Sequence, residues 1–346
     1  KAGVEALLVT DFTNVTYLTG FTGDDSYLLV RRDGETILSD PRYTTQLEEE
    51  CTGVDLDIRA PGVPMLKSVT KNIAAAKVGR LGIEADSMTV GLRNQIAEKS
   101  PKVELLPTSG LVEELRLIKD GDEIERLRRA VWQAEKAFGV LRSTLRPEKT
   151  EKQVADDLEY QFRLFGGKNA SFPSIVAVGP RAALPHATPG ESRIGDDDFV
   201  LIDWGANDGL YCSDLTRMLV TGKISPKFER IYNTVLEAQM RAIEAVKPGA
   251  IAHDVDNVAR AHIAKAGFGK RFRHGLGHVL GMLFHEAPRL AVNNQTVLKP
   301  GMVVTVEPGI YLPGWGGVRI EDDVLVTRNG HEVLTSVSKR LEDTVV

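Results

Sequence analysis

Four acidic residues stand where a folded chain tolerates them least. Asp203 closes the apolar run Val200-Leu201-Ile202, and Glu307 closes Val303-Val304-Thr305-Val306. Each run reads as a buried strand, followed by a turn and a second strand with its own acid: Asp214 in the first case, Glu321 in the second. Asp208-Gly209 is a two-residue turn signal, and centring the first hairpin on it sets Asp203 opposite Asp214. Gly314 is the midpoint of the second hairpin, and Glu307 falls opposite Glu321. Like charges facing each other across a ladder destabilise a sheet. Buried carboxylates therefore need a counter-charge, and a bound cation supplies it. The two leading acids stand 104 residues apart, from 203 to 307. That spacing predicts one site shared by two halves of a pseudo-repeat.

The helical signals repeat at nearly the same offset. Asp120 with Glu123 forms a capping pair ahead of an apolar face at Ile124, Leu127, Val131, Ala134, Phe138 and Leu141. Thr150 with Gln153 opens the next helix, which stops at Gly166-Gly167. In the second half Ser225 and Pro226 start a long helix, and another spans about 252–266 before Gly267. Two helices and then strands thus occur twice. Ahead of them lies a smaller alternating pattern. Its strands are predicted at Ala6–Val9, Tyr27–Val30, Thr36–Leu38, Val54–Ile58, Val78–Ile83 and Val103–Leu105, and its helices at 41–50, 64–76 and 89–99. The expected fold class is α/β (α+β), with a small α/β domain over 1–117 and a larger pseudo-twofold domain over 118–346. A length of 346 residues suits two domains.

Between the hairpins lie His274-Gly275-Leu276-Gly277-His278 and His285-Glu286-Ala287-Pro288-Arg289. Glycines beside histidines let the backbone approach closely and leave the rings free to face a ligand. One neutral imidazole with four carboxylates suits manganese, cobalt, zinc or ferrous iron. Four carboxylates balance two divalent ions, which favours a dinuclear centre. His253, His262 and His331 lie outside these motifs and are read as structural. A net charge of −5 without a Lys/Arg-rich stretch argues against nucleic acid as a partner. No apolar run approaches membrane-spanning length. Two cysteines, Cys51 and Cys212, allow one disulfide but no framework, and such sparse usage fits a reducing, cytoplasmic setting.

At these residues the chain resembles the metallopeptidase family that includes creatinase, aminopeptidase P and prolidase, with its pita-bread catalytic fold. The resemblance rests on Leu201-Ile202-Asp203-Trp204-Gly205, Ser213-Asp214-Leu215-Thr216-Arg217, His274 to Gly281, Val306-Glu307-Pro308-Gly309 and Arg319-Ile320-Glu321-Asp322. Pro185-His186-Ala187 and the amino-terminal Tyr17-Leu18-Thr19-Gly20-Phe21 and Asp40-Pro41-Arg42-Tyr43 extend it over the whole chain. It implies five metal ligands, Asp203, Asp214, His278, Glu307 and Glu321, with Asp214 and Glu321 bridging two divalent ions. Manganese is the expected metal, with cobalt or zinc as alternatives. It further implies Glu307 as proton shuttle, His285 as a donor to the oxyanion or the substrate amide, and His186 as a substrate contact. Arg319 and His274 support the ligands from behind. Arg289 would clamp the free carboxylate of a dipeptide, and Phe172 would pack on a proline ring. The implied activity is hydrolysis of Xaa-Pro dipeptides. An Xaa-Pro aminopeptidase acting on longer peptides is the alternative, and an inactive peptide-binding module is the reading outside catalysis. The family also implies a homodimer.

Overall fold

The structure, a computed structural model, describes residues 3–346. The chain divides into one compact unit ending at Arg116 and a second spanning Leu117–Val346. Among the described residues no helix is long and apolar enough to cross a membrane.

The first unit runs β1 (Ala6–Val9), α1 (Phe12–Thr19), β2 (Tyr27–Arg31), β3 (Gly34–Ser39), α2 (Thr44–Glu50), β4 (Asp55–Ile58), α3 (Met65–Ala76), β5 (Arg80–Glu84), α4 (Val90–Lys99), β6 (Glu104–Thr108) and α5 (Glu113–Arg116). Its six strands form one sheet in the order β4-β3-β2-β1-β5-β6, antiparallel at the β1-β2-β3 meander and parallel elsewhere. Helix α1 is absent from the sequence reading, because Val15, Thr16 and Tyr17 carry β propensity. Its ends were legible all the same. The Asp11 side chain accepts from the Asn14 N–H, and Gly20 closes the helix at φ 78°.

The second unit holds two helix pairs. The first is α6 (Gly121–Thr144) with α7 (Glu151–Leu164), and the second is α8 (Pro226–Ala245) with α9 (Ala252–Lys265). Capping boxes close at Asp120/Glu123 and Thr150/Gln153, and Ser225 caps the Phe228 N–H ahead of Pro226. The strands are β7 (Asn169–Ala170), β8 (Ile175–Val178), β9 (Phe199–Trp204), β10 (Ala206–Asn207), β11 (Leu215–Val220), β12 (Gly277–Val279), β13 (Glu286–Leu290), β14 (Val303–Val306), β15 (Gly309–Leu312), β16 (Gly316–Arg319), β17 (Asp322–Val326) and β18 (His331–Val333). They pair as β11-β9-β8, as β13-β12-β14-β17-β18, and as the short pairs β10-β7 and β15-β16.

Strand β9 shows why the acids meet between the halves. Val200, Ile202 and Trp204 pack into the cluster of α6 and α7, where Trp204 stacks on Phe138 at 4.2 Å and donates to Ala134 O. Phe199 and Leu201 face the opposite way, into the cluster formed by α8, α9 and the second set of strands. Side chains alternate along a strand, so Asp203 shares the second face and points toward the other half.

Candidate metal centre

The first hairpin departs from the sequence reading. Thr216, not Asp214, lies opposite Asp203, and Leu215 pairs with Trp204. The turn is displaced because Asp208 caps it rather than occupying its centre. The Asp208 Oδ1 accepts from the N–H groups of Leu210 and Tyr211, and Gly209 takes a positive φ. The offset is two residues, so every side chain keeps its face. Asp203 and Asp214 become diagonal neighbours rather than direct partners, and both still reach the same cleft. The second hairpin keeps the expected register: Val306 opposes Asp322 on one side of the acids and Gly309 opposes Arg319 on the other. Glu307 and Glu321 occupy the gap between these two ladders. There the strand pairs with a different partner, and Glu321 bridges to Thr216. A further close approach brings in the histidine strand. A Cβ on Gly277 would sit 2.0 Å from Thr305 O, so only glycine allows β12 to carry His278 this near β14.

One cleft of about 180 Å³ collects all four carboxylates with His274, His278, His285, His186, Arg289, Arg319 and Phe172. Ligand atoms of Asp214, His278 and Glu321 lie within 4.8 Å of one another. The His278 Nε2 stands 3.4 Å from Glu307 Oε1 and 3.7 Å from Asp214 Oδ2. Its Nδ1 faces the Val279 carbonyl at 3.2 Å and therefore carries the proton, which leaves the Nε2 lone pair aimed at two carboxylates. Burial pushes this imidazole's pKa down to about 3, so protonation does not resolve the conflict. The Asp203 Oδ1 is buried without a hydrogen-bond partner. Burial pushes Glu307 up to about 8, and burial plus mutual repulsion raises Asp214 and Glu321 well above the carboxylate range. A lone pair, an orphaned oxygen and clustered acids converging on one space are what a divalent cation would satisfy. The donor set of carboxylates with a single imidazole fits such ions.

Behind the acids runs a chain of hydrogen bonds. The Arg319 guanidinium donates to Asp203 Oδ2 at 2.5 Å, to Thr216 Oγ1 at 3.0 Å and to the Tyr311 hydroxyl at 2.8 Å. The Thr216 hydroxyl in turn donates to Glu321 Oε2 at 2.6 Å. His274 turns Nδ1 to the Gly275 carbonyl, so Nε2 accepts from Tyr311. Burial lowers the His274 pKa to about 4 and raises that of Tyr311 to about 12, which keeps both neutral. Sequence reasoning assigned Arg319 and His274 to this outer ring but missed Tyr311 and Thr216. Tyr311 lies outside every motif, and Thr216, although within the Ser213–Arg217 stretch, was given no role there; its clue was its place two residues beyond Asp214, on the same face of the strand. Asp256 and Arg260 were missed as well. On α9 they pair one helical turn apart, and they hold the glycine-histidine loop through the Leu276 N–H and the His274 carbonyl.

The open side of the cleft is different in character. Phe172 lies against Phe284 at 5.4 Å between ring centres, and His285 stands edge-on to His278 at 4.3 Å. Burial, with the nearby Arg289 charge, lowers the His285 pKa. Arg289 faces His278 across the β12–β13 ladder, and no acidic side chain among the described residues lies within ion-pair distance of its guanidinium. His186 reaches the same space from the loop after β8. His253, His262 and His331 lie outside the cleft, and both cysteines are free and buried.

Residues 125–328 match the model of metallopeptidase family M24, and residues 1–118 match that of the creatinase/prolidase N-terminal domain. The chain belongs to metallopeptidase family M24. Its structure is similar to that of an Xaa-Pro dipeptidase from Bacillus anthracis, with a TM-score of 0.96 and 40% identity, covering 100% of this chain and 96% of that one. An X-Pro aminopeptidase from Thermotoga maritima superimposes with a TM-score of 0.92 at 33% identity, covering 99% and 98%. An Xaa-Pro dipeptidase from Pyrococcus horikoshii is 36% identical over 342 residues, 99% of this chain and 95% of that protein. The M24 fold, with an amino-terminal domain ahead of a pita-bread catalytic domain, is the one expected from the sequence. The protein is a metallo-hydrolase of this family, and divalent metal use is a property of the family.

Proposed function

We propose that the protein hydrolyses the Xaa-Pro bond of dipeptides at a dinuclear centre held by Asp203, Asp214, His278, Glu307 and Glu321. Asp214 and Glu321 would be the ligands shared between the ions, and manganese is the metal we favour. The chemistry that such ions supply is activation of a water and polarisation of the scissile carbonyl. The protein's own groups do the rest. Glu307 takes a proton from the attacking water on its carboxylate and delivers it to the proline nitrogen. His285, at the cleft's open side, donates to the oxygen that becomes negative in the transition state. His186 contacts the leaving proline, and Phe172 packs on its ring. Arg319 orients Asp203 and, through Thr216, Glu321.

Arg289 carries the dipeptide reading. A guanidinium with no acidic side chain within ion-pair distance among the described residues, lining an acid-rich cleft, is suited to a substrate carboxylate by its bidentate geometry. The test compares Ala-Pro with Ala-Pro-Ala on the manganese-loaded enzyme. Preference for the dipeptide, with KM for Ala-Pro raised about tenfold or more in Arg289→Ala, supports this reading. Equal or faster tripeptide turnover assigns an Xaa-Pro aminopeptidase instead. Turnover of neither, with no metal uptake, leaves a peptide-binding module.

A further inference from the structure

We propose that Lys119 and Glu286 are positioning residues that set the substrate-facing loop against the metal ligands; the inference rests on the dipeptidase reading above. The loop 280–285 joins β12 to β13 and carries Phe284 and His285, while β13 carries Arg289. The Glu286 carboxylate turns beneath this loop. Its Oε1 accepts from the Leu283 N–H at 3.3 Å, and its Oε2 accepts from Lys119 Nζ at 3.0 Å. The carboxylate passes so close to Gly281 that a Cβ there would stand 2.6 Å from Oε2. Lys119 is itself fixed from the other side. Its N–H donates to Gly301 O at 2.9 Å, just ahead of β14 and Glu307, and a Cβ on Gly301 would press against Lys119 O at 2.9 Å. The pair thus spans from the strand that ends in a metal ligand to the loop that meets substrate.

Both charged side chains are buried, at 1% and 7% exposure, and neither lines the cleft. A buried ion pair adds little net stability over apolar residues of the same volume, because desolvation offsets the attraction. What a charged pair adds here is a fixed distance and direction. Those are the quantities that govern whether Arg289 and His285 reach a bound dipeptide in the productive pose.

The test uses the metal-loaded full chain and two substrates, Ala-Pro and Ala-Pro amide, which differ only in the terminal carboxylate. Lys119→Met and Glu286→Gln should each lower the preference for Ala-Pro over its amide roughly tenfold, mainly through KM for the dipeptide. Bound metal should match the wild type. The double variant should be no worse than the poorer single one, because both changes break the same link. An unchanged preference, or losses that multiply in the double variant, overturns the proposal. Should Lys119→Met fail to fold, Glu286→Asp keeps the charge and shortens the arm: a raised dipeptide KM at unaltered melting temperature supports the pair, and a wild-type KM overturns it. Failure of the underlying reading shows separately, in the wild type. An enzyme that prefers Ala-Pro-Ala moves the comparison to KM for that tripeptide, and one that cleaves neither peptide removes both conclusions.

Discussion

Stripping divalent metal should make the protein's stability fall with rising pH, where the metal-loaded form stays nearly level. Glu307 titrates at about 8 in the metal-free fold, against 4.5 in an unfolded chain, with burial as the leading cause. A carboxyl raised in this way contributes stability that is intact below 4.5 and lost as pH rises through 8. At about 1.4 kcal/mol per pH unit the full loss is roughly 5 kcal/mol. Buried His278 and His274 act with the opposite sign, since their folded values lie near 3 and 4; their effect fades above 6.5, where the unfolded histidines also become neutral. The window from pH 7 to 8.5 therefore isolates the acids. Glu307 alone should remove about 1 kcal/mol there. Asp214 and Glu321 act in the same direction, since burial and the neighbouring carboxylates raise them as well. For a domain of this size 1 kcal/mol corresponds to about 2–4 °C in Tm, so the chelated protein should melt at least about 2–4 °C lower at pH 8.5 than at pH 7. Calorimetry of chelated and manganese-loaded protein in matched buffers reads the difference, and groups outside the cleft cancel. Parallel curves for the two forms across this window would refute the assignment of these acids as the group that a cation satisfies.

Further outcomes follow from individual contacts. Arg319→Lys should weaken divalent metal binding about 10- to 100-fold in a metal-buffered titration, because one ammonium cannot serve Asp203, Thr216 and Tyr311 together; wild-type affinity would show that the fork is dispensable. Gly205→Ala would force a Cβ to within 1.8 Å of Ser213 O. A loss of about 3 kcal/mol in urea unfolding is expected, and a loss below about 1 kcal/mol would mean that β9 and β11 can separate freely. Asp256→Ala takes the partner from Arg260, which is only a quarter exposed, and from the Leu276 N–H. Stability should fall by about 3 kcal/mol and activity with it, since the same pair holds the His274 loop; intact activity in a folded variant would separate that loop from the centre.

How much of this was legible in advance depended on the range of the interaction. The capping boxes at Asp120 and Thr150 and the Ser225-Pro226 start were read correctly because each is settled within one helical turn. Helix α1 was lost because β-branched and aromatic residues obscured a cap that was present at Asp11. The second hairpin's register was predictable from its midpoint at Gly314. The first was not, since an aspartate can either sit within a turn or cap it, and Asp208 does the latter.

Sequence alone thus determined that four acids, carried by apolar strands in two matching hairpins, had to be reconciled with one another, and that histidines beside glycines lay close to them. Alternation along the strands is a period of two, so a displaced turn could shift partners without turning the acids away from the cleft. Only the tertiary structure decided what surrounds them. Thr216 meets Glu321 across 105 residues, Arg319 meets Asp203 across 116, and Lys119 reaches Glu286 across 167. No local pattern encodes such pairs. They arise when packed helices and strands bring polar groups out of water, where each must find a partner at the one distance that the fold leaves open.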